Sequence, residues 1–194
     1  ADIPIPTPKE SQVLVKIRAG TVTAGDCEIR TFKIPVLFWI PLRIIFGITR
    51  PKPGIFGQEF SGDVETIGDG VTQYKKGDAV FGFTTIRLGA HAQYICLNQG
   101  FLTPFNRQRS TYAAVATIPT GGINGLHLVM KAAIQRGESV LINGAGGSIG
   151  TYAVQLARSY GAEITCVDSE RKLDMLRNLG SDRTIDYTKE VFTN

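Results

Sequence analysis

Apolar and polar residues alternate from 12 to 20 (QVLVKIRAG) at the period of two that a half-buried strand requires. The later runs DVETIG, DAVFGF and AHAQYICL are short and punctuated by Gly and Asp. This pattern predicts a β-rich unit, a small barrel or sandwich, over residues 1–104, interrupted by one short helix near AGDCEIRTF (24–32). After FLTPFNRQRS the period changes. YAAVATI and GGINGLHLVMKAA have helical spacing, SVLINGA forms a strand, and a helix follows from Ser148 to about Tyr160. EITCVDS is a second strand, ERKLDMLRNLG a helix closed by a glycine C-cap, and RTIDY a third strand. Strands alternating with helices over residues 105–194 predict a parallel sheet, so the fold class is α/β with a β-rich domain in front.

Charge and composition remove several alternatives. The 21 basic and 17 acidic residues leave a net charge of +4. Only Lys75-Lys76 and Arg171-Lys172 stand adjacent, which is not the concentrated stripe of a nucleic-acid binder. Cys27, Cys96 and Cys166 are three in number, widely spaced and without a C-x-x-C, a pattern that suits a reducing cytoplasm rather than a disulfide framework. The one membrane-like run, 34–48, is shorter than the ~20 residues of a spanning helix and is broken by Pro35, Pro41 and Arg43. It is expected to be buried, or to border a substrate entrance with Phe38 and Trp39 as apolar wall.

The strand VLIN leads directly into Gly144, Ala145, Gly146, Gly147, Ser148, Ile149 and Gly150, and then into a helix. Glycines at such a turn let backbone approach a pyrophosphate, and the helix N-terminus offers unpaired N–H groups and partial positive charge. The strict G-x-G-x-x-G is not met; the spacing present is G-x-x-G-x-x-G at 144, 147 and 150. Asp168 closes the next strand 18 residues beyond Gly150, where a carboxylate can accept from a ribose hydroxyl. Its position also suits an N-cap for ERKLDML.

These residues resemble a known family. GESVLINGAGGSIGTYAVQLAR (137–158) resembles the cofactor loop of quinone oxidoreductases, with Gly144 in place of the usual Ala and Ser148 in place of the usual second Gly. Gly57, Glu59, Gly62, Gly68 and Val71 match the spacing of the G-H-E-x-x-G-x(5)-G-x-x-V segment of the medium-chain dehydrogenase/reductase superfamily. Gly77-Asp78-Ala79-Val80 and GAHAQY (89–94) resemble two further motifs of that superfamily. The resemblance implies an N-terminal GroES-like catalytic domain (1–104, first hairpin missing) and a Rossmann NAD(P)-binding domain (105–194, truncated after its third strand). It also implies that the chain as given is an incomplete subunit with an open sheet edge.

In zinc-dependent relatives the catalytic metal is held by a Cys, the His of G-H-E and a further Cys or Asp. Here Thr23, Gln58 and Gly121 (or a neighbour in PTGGING) stand at those places, so no zinc is expected. The activity implied is zinc-free hydride transfer from NAD(P)H to a quinone or an activated enone. Thr23, Asp26 and Gln58 are the candidate catalytic residues, of which Thr23 can donate a hydroxyl hydrogen bond while ionised Asp26 can only accept. Their purely structural roles would be a turn residue, the N-cap of the short helix and a packed amide. Glu59, His91 and His127 are assigned structural contacts. The alternatives are an alcohol dehydrogenase with unusual zinc ligands, or a cofactor-binding relative without catalysis.

The cofactor-binding candidates are Asn124 toward the nicotinamide side, Gly144, Gly147, Ser148, Ile149, Gly150, Asp168, and Ser169, Arg171, Lys172 and Tyr187 as partners for a 2′-phosphate. Asp168 would repel that phosphate, which inclines the expectation toward NAD(H). No nucleic acid and no membrane span are expected, and the full-length form is expected to be a homo-oligomer.

Overall fold

The strand β1 (Gln12–Gly20) forms because its residues alternate, yet Val13, Leu14 and Val15 are all buried. Both of its edges are paired, antiparallel to β2 (Glu59–Ile67) and to β4 (Tyr94–Asn98), and the register with β2 shifts twice, between Leu14 and Val15 and between Ile17 and Ala19. Such bulges coil a strand and let consecutive residues reach covered faces. A computed structural model describes residues 3–31, 40 and 54–192 of the chain. The apolar segment 34–48 lies outside them apart from Ile40. They divide into two units, Ala1–Pro119 and Thr120–Asn194.

The first unit is built on a five-stranded antiparallel sheet in the order β4-β1-β2-β3-β5, where β3 is Ala79–Phe83 and β5 is Leu102–Pro104. Val13, Val15, Phe60, Val64, Val80, Ile95 and Leu97 form its core. Burying each such aliphatic or aromatic side chain is worth about 1.5–3 kcal/mol before the entropy of ordering is counted. Gly62 is required where β2 passes β1, because a Cβ there would run into the Lys16 carbonyl. The short helix α1 (Ala24–Thr31) follows β1, and α2 (Tyr112–Ala116) packs on β1 and β2.

The division between the units falls at 119/120, whereas the change of periodicity suggested 104/105. Local pattern records where helices begin; the contacts decide which unit they join. Ser61 Oγ donates to the Tyr112 carbonyl at 2.7 Å, the Tyr112 hydroxyl donates to Asp63 Oδ1, and Phe105 packs edge-on against both Phe81 and Tyr112. Arg18 Nε adds a 2.8 Å bond to Asp63 Oδ2. Burial pushes the Asp63 carboxyl up, but the bonds from Tyr112 and Arg18 outweigh it and hold it below the ordinary range.

The second unit begins with α3 (Ile123–Ala132), preceded by a π-helical turn at Ile118–Gly122 and ended by Ala133 in the left-handed region. Three parallel strands follow, in the order β6 (Ser139–Asn143), β7 (Glu163–Asp168), β8 (Arg183–Asp186). They are connected through α4 (Ser148–Ser159) and α5 (Glu170–Leu179). The expected glycine stop is present, with Gly180 at φ 107°. Ala153, Val154 and Ala157 of α4 and Leu173 and Leu176 of α5 pack on Ile164 and Cys166 of β7. β6 is an edge strand of this sheet, and its Leu141 is 51% exposed. Among the described residues no helix is long and apolar enough to cross a membrane.

Tyr112→Phe removes a donor from a half-buried carboxylate. It should cost the chain about 1.5–3 kcal/mol in urea unfolding, the value of a hydrogen bond to a charged group. A loss within experimental error would show that Arg18 and Arg107 satisfy Asp63 without it.

Candidate functional site

Two groups of candidate residues are assembled, one in each unit. In the first, Thr23 lies immediately before α1 and its hydroxyl oxygen accepts the Asp26 N–H at 3.2 Å. Asp26 Oδ2 reciprocates, accepting the Thr23 N–H at 2.8 Å and the Thr23 hydroxyl at 2.7 Å. This is a reciprocal capping box. The cap is therefore Thr23, and Asp26, for which the cap was the structural alternative, is the third helical residue that answers it. The consequence is chemical. A threonine hydroxyl has one proton, and Thr23 gives it to Asp26, so in this arrangement the hydroxyl offers outside ligands an acceptor rather than a donor.

Gln58 joins them. A Cβ on Gly25 would stand 3.5 Å from Gln58 Oε1 and 3.6 Å from Thr23 Oγ1, so both side chains flank the same small residue. Gln58 Nε2 donates one of its two protons to the Thr85 carbonyl at 3.3 Å. Among the described residues the other has no partner and can meet a ligand. Asp26 is 4% exposed, and among the described residues its Oδ1 has no hydrogen-bond partner.

Sequence reasoning gave His91 and Glu59 structural roles without partners. His91 Nε2 lies 2.8 Å from the Thr21 carbonyl, and Glu59 Oε2 accepts the Thr21 hydroxyl at 2.6 Å. His91 N–H also donates to the Phe56 carbonyl at 2.8 Å, beside Gly57 at φ 94°. A Cβ on Gly57 would press on the His91 ring and backbone, so only glycine fits. These bonds tie the segment before Thr23 to the segment before Gln58. A partner 70 residues away carries no local signature.

In the second unit the glycine turn joins β6 to α4. Gly147 is the N-cap of α4, and no side chain caps it. The N–H groups of the first turn have no intrahelical partner, and those of the exposed Ser148 and Ile149 can meet an anion. Gly144 takes φ 72°, and a Cβ on Gly150 would lie 2.6 Å from both Ala145 Cα and the Gly144 carbonyl oxygen. The β7 end fixes the turn from below. The Gly144 and Ala145 amides donate to the Val167 carbonyl at 3.0 and 3.2 Å, and the Gly146 amide donates to Asp168 Oδ2 at 2.8 Å.

Asp168 is 5% exposed; its Oδ1 accepts the Ser169 N–H at 2.8 Å and stands 3.3 Å from Lys172 Nζ. Burial pushes the carboxyl up, but the bonds from Ser169, Gly146 and Lys172 together hold it below the ordinary range. The helix N-cap is Ser169 rather than Asp168. Tyr187, just beyond β8, is 56% exposed, and its N–H donates to the Asp168 carbonyl at 3.3 Å. Ser169 and Lys172 thus share the β7 terminus with it, and Arg171 is exposed on α5. Asn124 donates to the Thr120 carbonyl at 2.8 Å, in the π-helical turn that precedes its helix. Gly121 faces Ser148 and Tyr152 of α4, which a Cβ would overlap, so no ligand side chain can stand there.

Among the described residues no three His, Cys, Asp or Glu side chains converge as a metal site requires. The residues at the places of the zinc ligands do not suit the ion: a hydroxyl committed to Asp26, an amide bonded to backbone and a glycine. The glycine cradle does suit a dinucleotide phosphate.

Residues 9–123 match the alcohol dehydrogenase GroES-like domain. The chain is 29% identical over 201 residues to a 2-methylene-furan-3-one reductase of Solanum lycopersicum, covering 99% of this chain and 49% of that protein. It is 29% identical over 216 residues to an NAD-dependent alcohol dehydrogenase of Sulfurisphaera tokodaii, covering 97% of this chain and 60% of the relative. Among solved structures, the quinone oxidoreductase from Coxiella burnetii superposes with a TM-score of 0.86 at 26% identity, covering 99% of this chain and 58% of that one. The chain thus spans about half to three-fifths of the length of these relatives.

Gly150→Ala should destabilise the chain by about 1–3 kcal/mol in urea, because the atoms it meets are backbone and cannot rotate away. The charge of Asp168 should show in the acid limb of stability. Its folded pKa lies below the unfolded value of about 3.9, so its contribution is complete at neutral pH and is lost as pH falls through the depressed folded value. Wild type and Asp168→Asn, unfolded by urea across that range, should therefore differ most near neutrality and converge in acid.

Proposed function

The chain belongs to the alcohol dehydrogenase GroES-like family, on the quinone oxidoreductase side of the zinc-type alcohol dehydrogenase superfamily. From that membership we propose that the whole protein is an NAD(P)H-dependent oxidoreductase that reduces a quinone or an activated enone without zinc. The observation that carries this reading is the glycine turn before α4, an uncapped helix N-terminus approached through a contact that only Gly150 permits.

The N–H groups of Ser148 and Ile149 would receive the pyrophosphate, with Gly144, Gly147 and Gly150 giving the backbone room. A bound nicotinamide supplies the hydride. Gln58 keeps one N–H free of Thr85 and is the donor proposed for the substrate oxygen on which negative charge develops. Thr23 and Asp26, bonded to each other, hold the loop beside it and accept rather than donate. Asn124 is proposed on the nicotinamide side.

The inclination to NADH over NADPH rests on charge. Asp168 stays ionised at the β7 terminus, and Lys172, the obvious cation for a 2′-phosphate, is already paired with it at 3.3 Å. Ser169, Arg171 and Tyr187 remain for that phosphate if the whole protein takes it.

Steady-state turnover of the full-length protein with NADH and a panel of quinones and enones tests the reading, with metal content measured on the same sample. Activity without stoichiometric zinc is expected. Gln58→Leu should lower kcat/KM about 100-fold, the cost of one oxyanion donor, with cofactor affinity unchanged. One zinc per active chain, or NADH binding without turnover of any acceptor, would sink the proposal.

A further inference from the structure

An acidic residue at the end of the second strand of a dinucleotide unit is ordinarily placed for a ribose hydroxyl. In this chain both oxygens of that residue are already engaged. Asp168 Oδ2 takes the Gly146 amide, and Oδ1 takes the Ser169 amide, with the Ser169 hydroxyl and Lys172 Nζ each at 3.3 Å. The fit around these bonds is close. A Cβ on Gly146 would collide with Lys172 Cδ and come to 2.9 Å from Asp168 Oδ2, so glycine is what lets the turn settle onto the carboxylate. The two preceding amides of the turn are held by the carbonyl of Val167, the residue next to Asp168.

We propose that Asp168 is a positioning residue, a carboxylate latch that holds the glycine turn at Gly146 in its anion-receiving shape, and is not the group that grips the ribose. This rests on the cofactor reading of the turn given above. A latch and a ribose grip make different demands on ligands. If Asp168 gripped the ribose, its removal would weaken adenosine and ADP alike. If it holds the turn, removal weakens only ligands whose phosphates meet the turn, and adenosine is untouched.

The test has two arms on the whole protein. Amide hydrogen exchange should show Gly146 protected in the wild type and about tenfold faster in Asp168→Ser, the effect of one hydrogen bond to a charged group. The amides of the buried β7 residues Ile164 and Cys166 should stay unchanged. Asp168→Asn, which keeps an acceptor oxygen at the same reach, should restore part of the protection; equal Gly146 rates in wild type and Asp168→Ser would overturn the latch. Calorimetric titration should show ADP bound about tenfold more weakly by Asp168→Ser and adenosine within about twofold of wild type. An equal loss for both ligands removes the latch and leaves the cofactor reading standing. A wild-type protein that binds neither removes both.

Discussion

The last two residues of β7 bind three consecutive amides of the glycine turn. Val167 takes those of Gly144 and Ala145, and Asp168 takes that of Gly146. The candidate phosphate loop of the second unit is held in place by this clasp. β7 is the central strand of its sheet, with Ile164, Cys166 and Val167 at 1% exposure or less, so its end is the best-fixed point available. The turn inherits that position. Helix α4 then starts where the turn leaves it, and the absence of a Cβ on Gly150 lets the helix rest directly on Ala145. A helix N-terminus attracts anions wherever it occurs; here the clasp fixes its place and keeps side chains out of its way.

The first unit solves a related problem with polar bonds of long sequence range. Thr23 and Gln58 lie on segments that must leave regular structure to present side chains, and loops are the least stable parts of a domain. The Thr21 hydroxyl on Glu59, the His91 ring on the Thr21 carbonyl and the Thr84 amide on the Gln58 carbonyl hold these segments from three directions. The capping box closes the remaining side by binding Thr23 to Asp26. Such an arrangement restrains the Gln58 backbone and, among the described residues, leaves one proton of its amide uncommitted. A hydrogen-bond donor works best in catalysis when it need not reorganise.

What the sequence made legible was whatever repeats locally. Alternation marked β1 to the residue, the glycine C-cap at Gly180 ended α5 where expected, and the strand-turn-helix order placed the candidate phosphate loop. The departures share a cause. Whether Thr23 or Asp26 caps α1 depends on where the helix starts within three residues, and periodicity does not resolve that. Whether α2 joins the first unit depends on Ser61 and Asp63 meeting Tyr112 about 50 residues later. Asp168 was legible as an acidic residue at a strand end, but not as one already satisfied by Gly146. Residue type gives the capacity for a bond; only the folded chain shows how much of that capacity is spent.

That last distinction bears on the chemistry in both units. Counting donors along the sequence gives Thr23 and Gln58 for a developing oxyanion, and Ser169, Arg171 and Lys172 for a 2′-phosphate. Subtracting the bonds already made leaves a shorter set, because Thr23 has given its proton to Asp26 and Lys172 has given its charge to Asp168. In each unit an aspartate has drawn off the more obvious partner, and in each the loss is compensated by order, a capped helix in one and a clasped turn in the other. A ligand that recruited Thr23 or Lys172 would have to replace a bond to a largely buried carboxylate, and stranding such a group costs more than a new surface hydrogen bond returns. Gln58 and the backbone amides at Ser148 and Ile149 can act without that cost, which is why the proposed chemistry is assigned to them.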